Sequence, residues 1–151
     1  MLGLIGGTIG VVITKKMLGM ENQKRGNLFA PAIAIGVAIG RLGCFFRGCC
    51  FGKETSLPWG INFGDGILRH PTQIYEAIFM LGMFFYLKWK SKQNTAPGSL
   101  FRILIVSYFT FRFFIEFLRV EPVAFLGLTW FQIISLGVLA YYGIEKCLGK
   151  K

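Results

Sequence analysis

The chain has 151 residues, of which 54% are hydrophobic and 16% charged, with a mean hydropathy of +0.56. That balance excludes a disordered polar segment and is far more apolar than a soluble domain. The net charge of +10 would suggest nucleic acid on a polar chain, but on one this greasy it marks the basic flanks of membrane spans, so no nucleic-acid partner is expected.

A helix crossing roughly 30 Å of hydrocarbon needs about 20 mostly apolar residues. Five stretches meet or approach that length: 1–18, 28–47, 71–89, 100–119 and 127–145. They predict an all-α integral membrane protein, one transmembrane domain over 1–151, built as a bundle of about five helices with an outward-facing loop between the second and third. The first stretch is short, stopping at Lys15 and Lys16; a cleavable signal is not expected, because the basic residues follow the apolar run instead of preceding it. Lys and Arg resist translocation. Lys15, Lys16, Lys24 and Arg25, then Lys88, Lys90 and Lys92, then Lys146, Lys150 and Lys151 therefore define the cytoplasmic side. The amino terminus is expected outside and the carboxyl terminus inside.

Charged groups within a span cost several kcal/mol and require a partner, water or a function. In the second span, Gly36, Gly40 and Gly43 are expected to let helices approach closely, and Arg41 to sit inside the bundle. The third opens with Arg69-His70-Pro71-Thr72-Gln73-Ile74-Tyr75-Glu76; proline suits a helix start, and Gln73 and Glu76 fall on one stripe. In the fourth, Arg102 is placed to snorkel, while Arg112, Glu116 and Arg119, at i, i+4 and i+7, share a face near the outer end. That face is open to two readings, an internal Arg-Glu-Arg ion cluster that fixes packing or an anion site. On the second reading Arg41, Arg69, Arg112 and Arg119 converge on one phosphate-sized anion, for which guanidinium forks suit the geometry; at that depth a phospholipid headgroup is the abundant candidate.

These residues resemble, in order along the chain, the prolipoprotein diacylglyceryl transferases of bacterial inner membranes. Gly40-Arg41-Leu42-Gly43 with Phe45, Gly48 and Gly52 is similar to the family signature. Leu57-Pro58-Trp59-Gly60 and the octet from Arg69 to Glu76 follow it, then Phe111-Arg112, Glu116-Phe117 and Arg119; Gly3-Leu4-Ile5-Gly6 resembles the tail of its His-Gly-Gly-Leu-Ile-Gly motif. The resemblance implies a multi-pass inner-membrane enzyme that moves the diacylglyceryl group of phosphatidylglycerol to the lipobox cysteine thiol of a prolipoprotein, leaving glycerol phosphate. It implies that Arg41 and Arg112 handle the phosphate and the transition-state charge, oriented by Glu116 and Arg119. Candidate catalytic residues are thus Arg41, Arg112, Glu116 and His70, and candidate substrate-binding residues Arg69, Gln73, Tyr75, Glu76, Arg119 and Gly43. No cofactor is implied.

Against the family pattern, Met1 and Leu2 stand where the motif has its histidine and first glycine, the two helices ahead of that motif are missing, and Cys44, Arg47 and Cys49 replace Asn, Asn and Glu. The chain is expected to be a divergent member or a fragment. Two alternatives follow: a catalytically impaired phospholipid-binding membrane protein, or a transferase with a different acceptor that uses its own cysteines. Cys44, Cys49 and Cys50 are open to plain packing, a disulfide, or a role as reactive thiols or in metal binding. With no Cys-x-x-Cys or His-x-Cys spacing, none is assigned as a metal ligand.

Overall fold

The computed structural model describes residues 10, 13, 16, 17, 26–125 and 127–148. The predicted span 1–18 and the Gly3-Leu4-Ile5-Gly6 motif lie largely outside the described residues. The rest is mostly helical: α1 (Gly26–Phe46), α2 (Thr72–Ser91), α3 (Ser99–Ile115) and α4 (Trp130–Cys147). Of these, α1 alone among the described residues is both long and apolar enough to cross a membrane.

The short 92–98 connection makes α2 and α3 antiparallel neighbours. Gly98 at φ +83° supplies the left-handed residue that starts α3, and Lys88 and Lys90 in the last turn of α2 complement its dipole. Asn27 spans the junction: its Nδ2 donates to Ala96 O at 2.9 Å while its Oδ1 accepts from Leu100 N at 2.9 Å. Arg102 pairs with Glu145 at 2.8 Å. The start of α1, the turn between α2 and α3, and the end of α4 therefore share one end of the molecule, and Arg102 is salt-bridged there, beyond the snorkelling expected of it.

The stripe that lets α1 pack closely is alanine. Ala30, Ala34 and Ala38, at i, i+4 and i+8, are buried in a core with Met80, Leu87, Leu100, Leu104 and Phe109. The glycines expected in that role, Gly36, Gly40 and Gly43, are exposed, and an added Cβ would meet nothing within 4 Å. Large apolar side chains cover much of the outer surface, among them Leu28, Ile39, Phe46, Ile78, Phe85 and Phe114.

At the opposite end the chain departs from the all-α expectation through two antiparallel ribbons, β1 (Ile61–Asn62) with β2 (Leu68–Arg69) and β3 (Val123–Phe125) with β4 (Leu128–Thr129). Turn chemistry accounts for both. Asn62 Oδ1 accepts from Gly64 N and Gly66 N, whose φ angles are +109° and +80°, and Gly127 turns the second ribbon at φ +77°. The loop between α1 and α2 is stitched down: Gly52 N donates to His70 O at 2.8 Å, His70 N to Lys53 O at 3.0 Å, and Lys53 N to Leu118 O at 2.7 Å. This last bond helps end α3 early. Instead of continuing to 119, the chain tightens into a 3-10 turn over Glu116–Leu118 and leaves Arg119 extended, at φ −94° and ψ 153°.

Candidate active site

The alternation of helix directions brings the late residues of α1 and α3 beside the first turns of α2. Arg41, Glu76 and Arg112 consequently meet. Glu76, with 2% of its side chain exposed, accepts from Arg41 Nε at 2.9 Å through Oε1 and lies 3.4 Å from Arg112 Nη1 through Oε2. The Tyr108 hydroxyl donates to Oε1 at 3.1 Å. Arg112 Nη2 lies 3.2 Å from Glu116 Oε2, one helical turn on, and its guanidinium stacks over the Phe131 ring at 5.1 Å.

Glu116 is held from a second direction by a capping box that sequence reading missed. Thr129 N donates to Gln132 Oε1 at 2.9 Å and Gln132 N donates to Thr129 Oγ1 at 3.3 Å, the reciprocal pair that starts a helix with Thr-x-x-Gln. The same Thr129 hydroxyl lies 3.2 Å from Glu116 Oε1 and donates to it. The cap of α4 thereby anchors the carboxylate that orients Arg112.

This cluster differs from the Arg-Glu-Arg face expected along one helix. Arg112 and Glu116 do pair, but Arg119 has left the helix and bonds Glu121 at 2.9 Å; the second guanidinium on the shared carboxylate network comes from Arg41. Glu76, expected to bind substrate, is the counter-ion at its centre. Arg69 does not join: on β2 it is paired with Asp65 at 2.8 Å and its guanidinium lies 5.0 Å over the Phe51 ring. Of the four arginines, Arg41 and Arg112 share a carboxylate, while Arg69 and Arg119 pair with Asp65 and Glu121.

The remaining candidates form a second group around the first turn of α2. Gln73 Nε2 donates to Cys49 O and Thr72 Oγ1 to Cys50 O at 2.9 Å, so Gln73 pins the preceding loop, with its Oε1 buried and unpartnered. His70 Nδ1 lies 3.3 Å from the Tyr75 hydroxyl, which accepts from Trp59 Nε1 at 2.9 Å. Gly43 faces outward on α1, away from these contacts. Tyr108 was also missed, although its position four residues before Arg112 puts it on the same helix face.

Chemically, a neutral set of two guanidinium and two carboxylate groups is held in register, with access uneven. Arg112 is 3% exposed, with Nε buried and unpartnered, whereas a fifth of the Arg41 side chain is exposed. Arg41 is thus the more open of the two guanidinium groups.

The sequence model described as "Prolipoprotein diacylglyceryl transferase" matches residues 3–144. Among individual relatives, the phosphatidylglycerol--prolipoprotein diacylglyceryl transferase of Clostridium tetani is 38% identical over 79% of this chain and 50% of its own length. One from Clostridium perfringens is 32% identical over 98% of this chain and 62% of its own length. That of Bordetella parapertussis is 41% identical over 82% and 50%. The chain spans about half the length of the curated relatives it matches.

Proposed function

The chain belongs to the prolipoprotein diacylglyceryl transferase family, and from that premise we propose that its Arg41–Glu76–Arg112–Glu116 cluster serves transfer of the diacylglyceryl group of phosphatidylglycerol to a prolipoprotein cysteine thiol. The acceptor sulfur forms a bond to the glyceryl carbon as the bond from that carbon to the phosphate oxygen breaks. The thiol proton is surrendered and glycerol phosphate departs.

The observation that carries this reading is that Arg41 and Arg112, from two helices, share Glu76 on a third, with Arg41 accessible and Arg112 buried behind it. Arg41 binds the phosphate and stabilises the negative charge that grows on its bridging oxygen, as a guanidinium in a poorly hydrated site can. Arg112 acts as a positioning residue, fixing Glu76 and through it the Arg41 fork. His70, tied to Tyr75 and Trp59, takes part in handling the thiol proton, and Arg119 and Arg69 draw the headgroup toward the outer face. An apolar groove of about 300 Å³ between α3 and α4, lined by residues including Phe101, Ile105, Phe109, Val138 and Tyr142, suits an acyl chain.

The same reading makes the molecule a bundle of about five helices in the bacterial inner membrane, with the ribbons outside, the amino terminus outside and the Lys-rich end cytoplasmic. The exposed apolar belt supports it, because such side chains are at home against lipid.

The test is direct. The purified chain in phosphatidylglycerol bilayers, given a lipobox peptide, should release glycerol phosphate and add a diacylglyceryl group to the peptide. Folded chain that retains phosphatidylglycerol through purification yet releases nothing with any thiol acceptor would overturn the reading.

A further inference from the structure

Cys44, Cys49 and Cys50 have no part in the chemistry above, and in sequence they lack ligand spacing. The fold supplies what the spacing does not. A turn after α1 brings Gly48 to φ +67° and Cys50 to φ +66°, the one non-glycine with positive φ among the described residues. Cys49 N donates to Cys44 O at 3.2 Å, folding the second thiol back over the first. The three Sγ atoms all lie within 4.8 Å of one another, Cys49 and Cys50 at 3.8 Å. A zinc-sized ion with metal–sulfur bonds of about 2.3 Å holds its thiolates about 4 Å apart when three-coordinate. The turn is also braced from behind: Gln73 and Thr72 hold the carbonyls of Cys49 and Cys50, fixing the backbone and leaving the side chains to converge on the opposite side.

We propose that Cys44, Cys49 and Cys50 form a three-thiolate site for one thiophilic d¹⁰ cation, of the zinc or monovalent copper class, at the outer end of α1. Soft thiolates select such ions over hard ones, and three protein ligands leave one position open to water or a small ligand. Because a thiol must lose its proton to bind a metal, loading releases protons and strengthens as pH rises.

The experiment uses the full chain carrying Cys147→Ser, so that the remaining exposed thiol is removed, purified without oxygen and titrated with cadmium as a d¹⁰ probe. Expected are one cadmium ion per chain, an ultraviolet thiolate-to-metal band, proton release in step with loading, and displacement by zinc or monovalent copper. Cys44→Ser, Cys49→Ser and Cys50→Ser should each cost more than the ~10–100-fold in affinity typical of outer-shell changes. Alkylating the three thiols of the folded chain, a check independent of whether a variant folds, should abolish the band. An intact mass showing a disulfide among the three, or cadmium binding that survives alkylation, would overturn the proposal. Since the readout is metal binding, a failed transferase assay leaves this result standing.

Discussion

The two ends of the helix bundle handle charge in opposite ways. Where α1 begins and α4 finishes, Arg102 keeps 43% of its side chain exposed and Glu145 26%, and Lys88 and Lys92 at the end of α2 are exposed. At the other end, Arg112, Glu76 and Glu116 are exposed by 3%, 2% and 0%. The same helices run to both ends, so the difference lies in what meets them there. Burying a charge costs several kcal/mol unless it is partnered, and the end that holds Arg112 meets that cost with shared carboxylates, a capping box and a stitched loop where the Arg102 end relies on exposure.

Substitutions that remove one member at each end give the widest test of this contrast. Arg112→Ala leaves Glu76 and Glu116 short of a buried partner and should cost about 3–5 kcal/mol of stability. In phosphatidylglycerol assays it should lower transfer by about 100-fold, the scale of misplacing the Arg41 fork by about 1 Å. Arg102→Ala should cost less than about 1 kcal/mol and leave transfer unchanged. Equal effects at the two ends, read by thermal denaturation and glycerol phosphate release, would erase the distinction.

Gly52→Ala is next in size. An added Cβ would sit 2.5 Å from Leu118 O and 2.8 Å from His70 Cβ, so the stitched loop must shift, at about 1–3 kcal/mol; Gly43→Ala, in open space on helical α1, should instead stabilise by up to about 1 kcal/mol in the same melting experiment. Thr129→Val removes the α4 cap and the bond to Glu116, for about 1 kcal/mol. If transfer falls by more than that loss of folded protein explains, the cap is shown to act through Glu116.

The smallest effect concerns Asp65, whose carboxyl is held below the usual range by its hydrogen bond from Arg69 and by Ile67 N. A lowered folded-state pKa means its contribution is present above the unfolded value and lost as pH falls through the folded one. The difference in Tm between the chain and Asp65→Asn should therefore close toward acid.

Helix positions were legible from apolar length and from Pro71 at a helix start, and Arg41, Arg112 and Glu116 from charge in greasy surroundings. What periodicity could not reveal was which partners the charges would choose. Arg119 lies on the Arg112 face only while α3 stays helical, and the Lys53–Leu118 bond contributes to ending it. Arg69 stands in the motif octet yet is claimed by Asp65, four residues back in a glycine turn. Tyr108 and the Thr129–Gln132 cap carried local signals, but ordinary ones in so aromatic and polar-flanked a chain.

The Arg41–Glu76–Arg112–Glu116 cluster sums to zero formal charge, and on the proposed function that constrains turnover. A phosphodiester arriving on Arg41 makes the pocket net negative in a medium that screens poorly. Electroneutrality then favours keeping the proton that the acceptor sulfur gives up, and a phosphate monoester, whose second ionisation lies near pH 6, can carry that proton away. On the proposed reading, donor and proton enter and leave as a matched pair, and the pocket ends each cycle in the charge state in which it began.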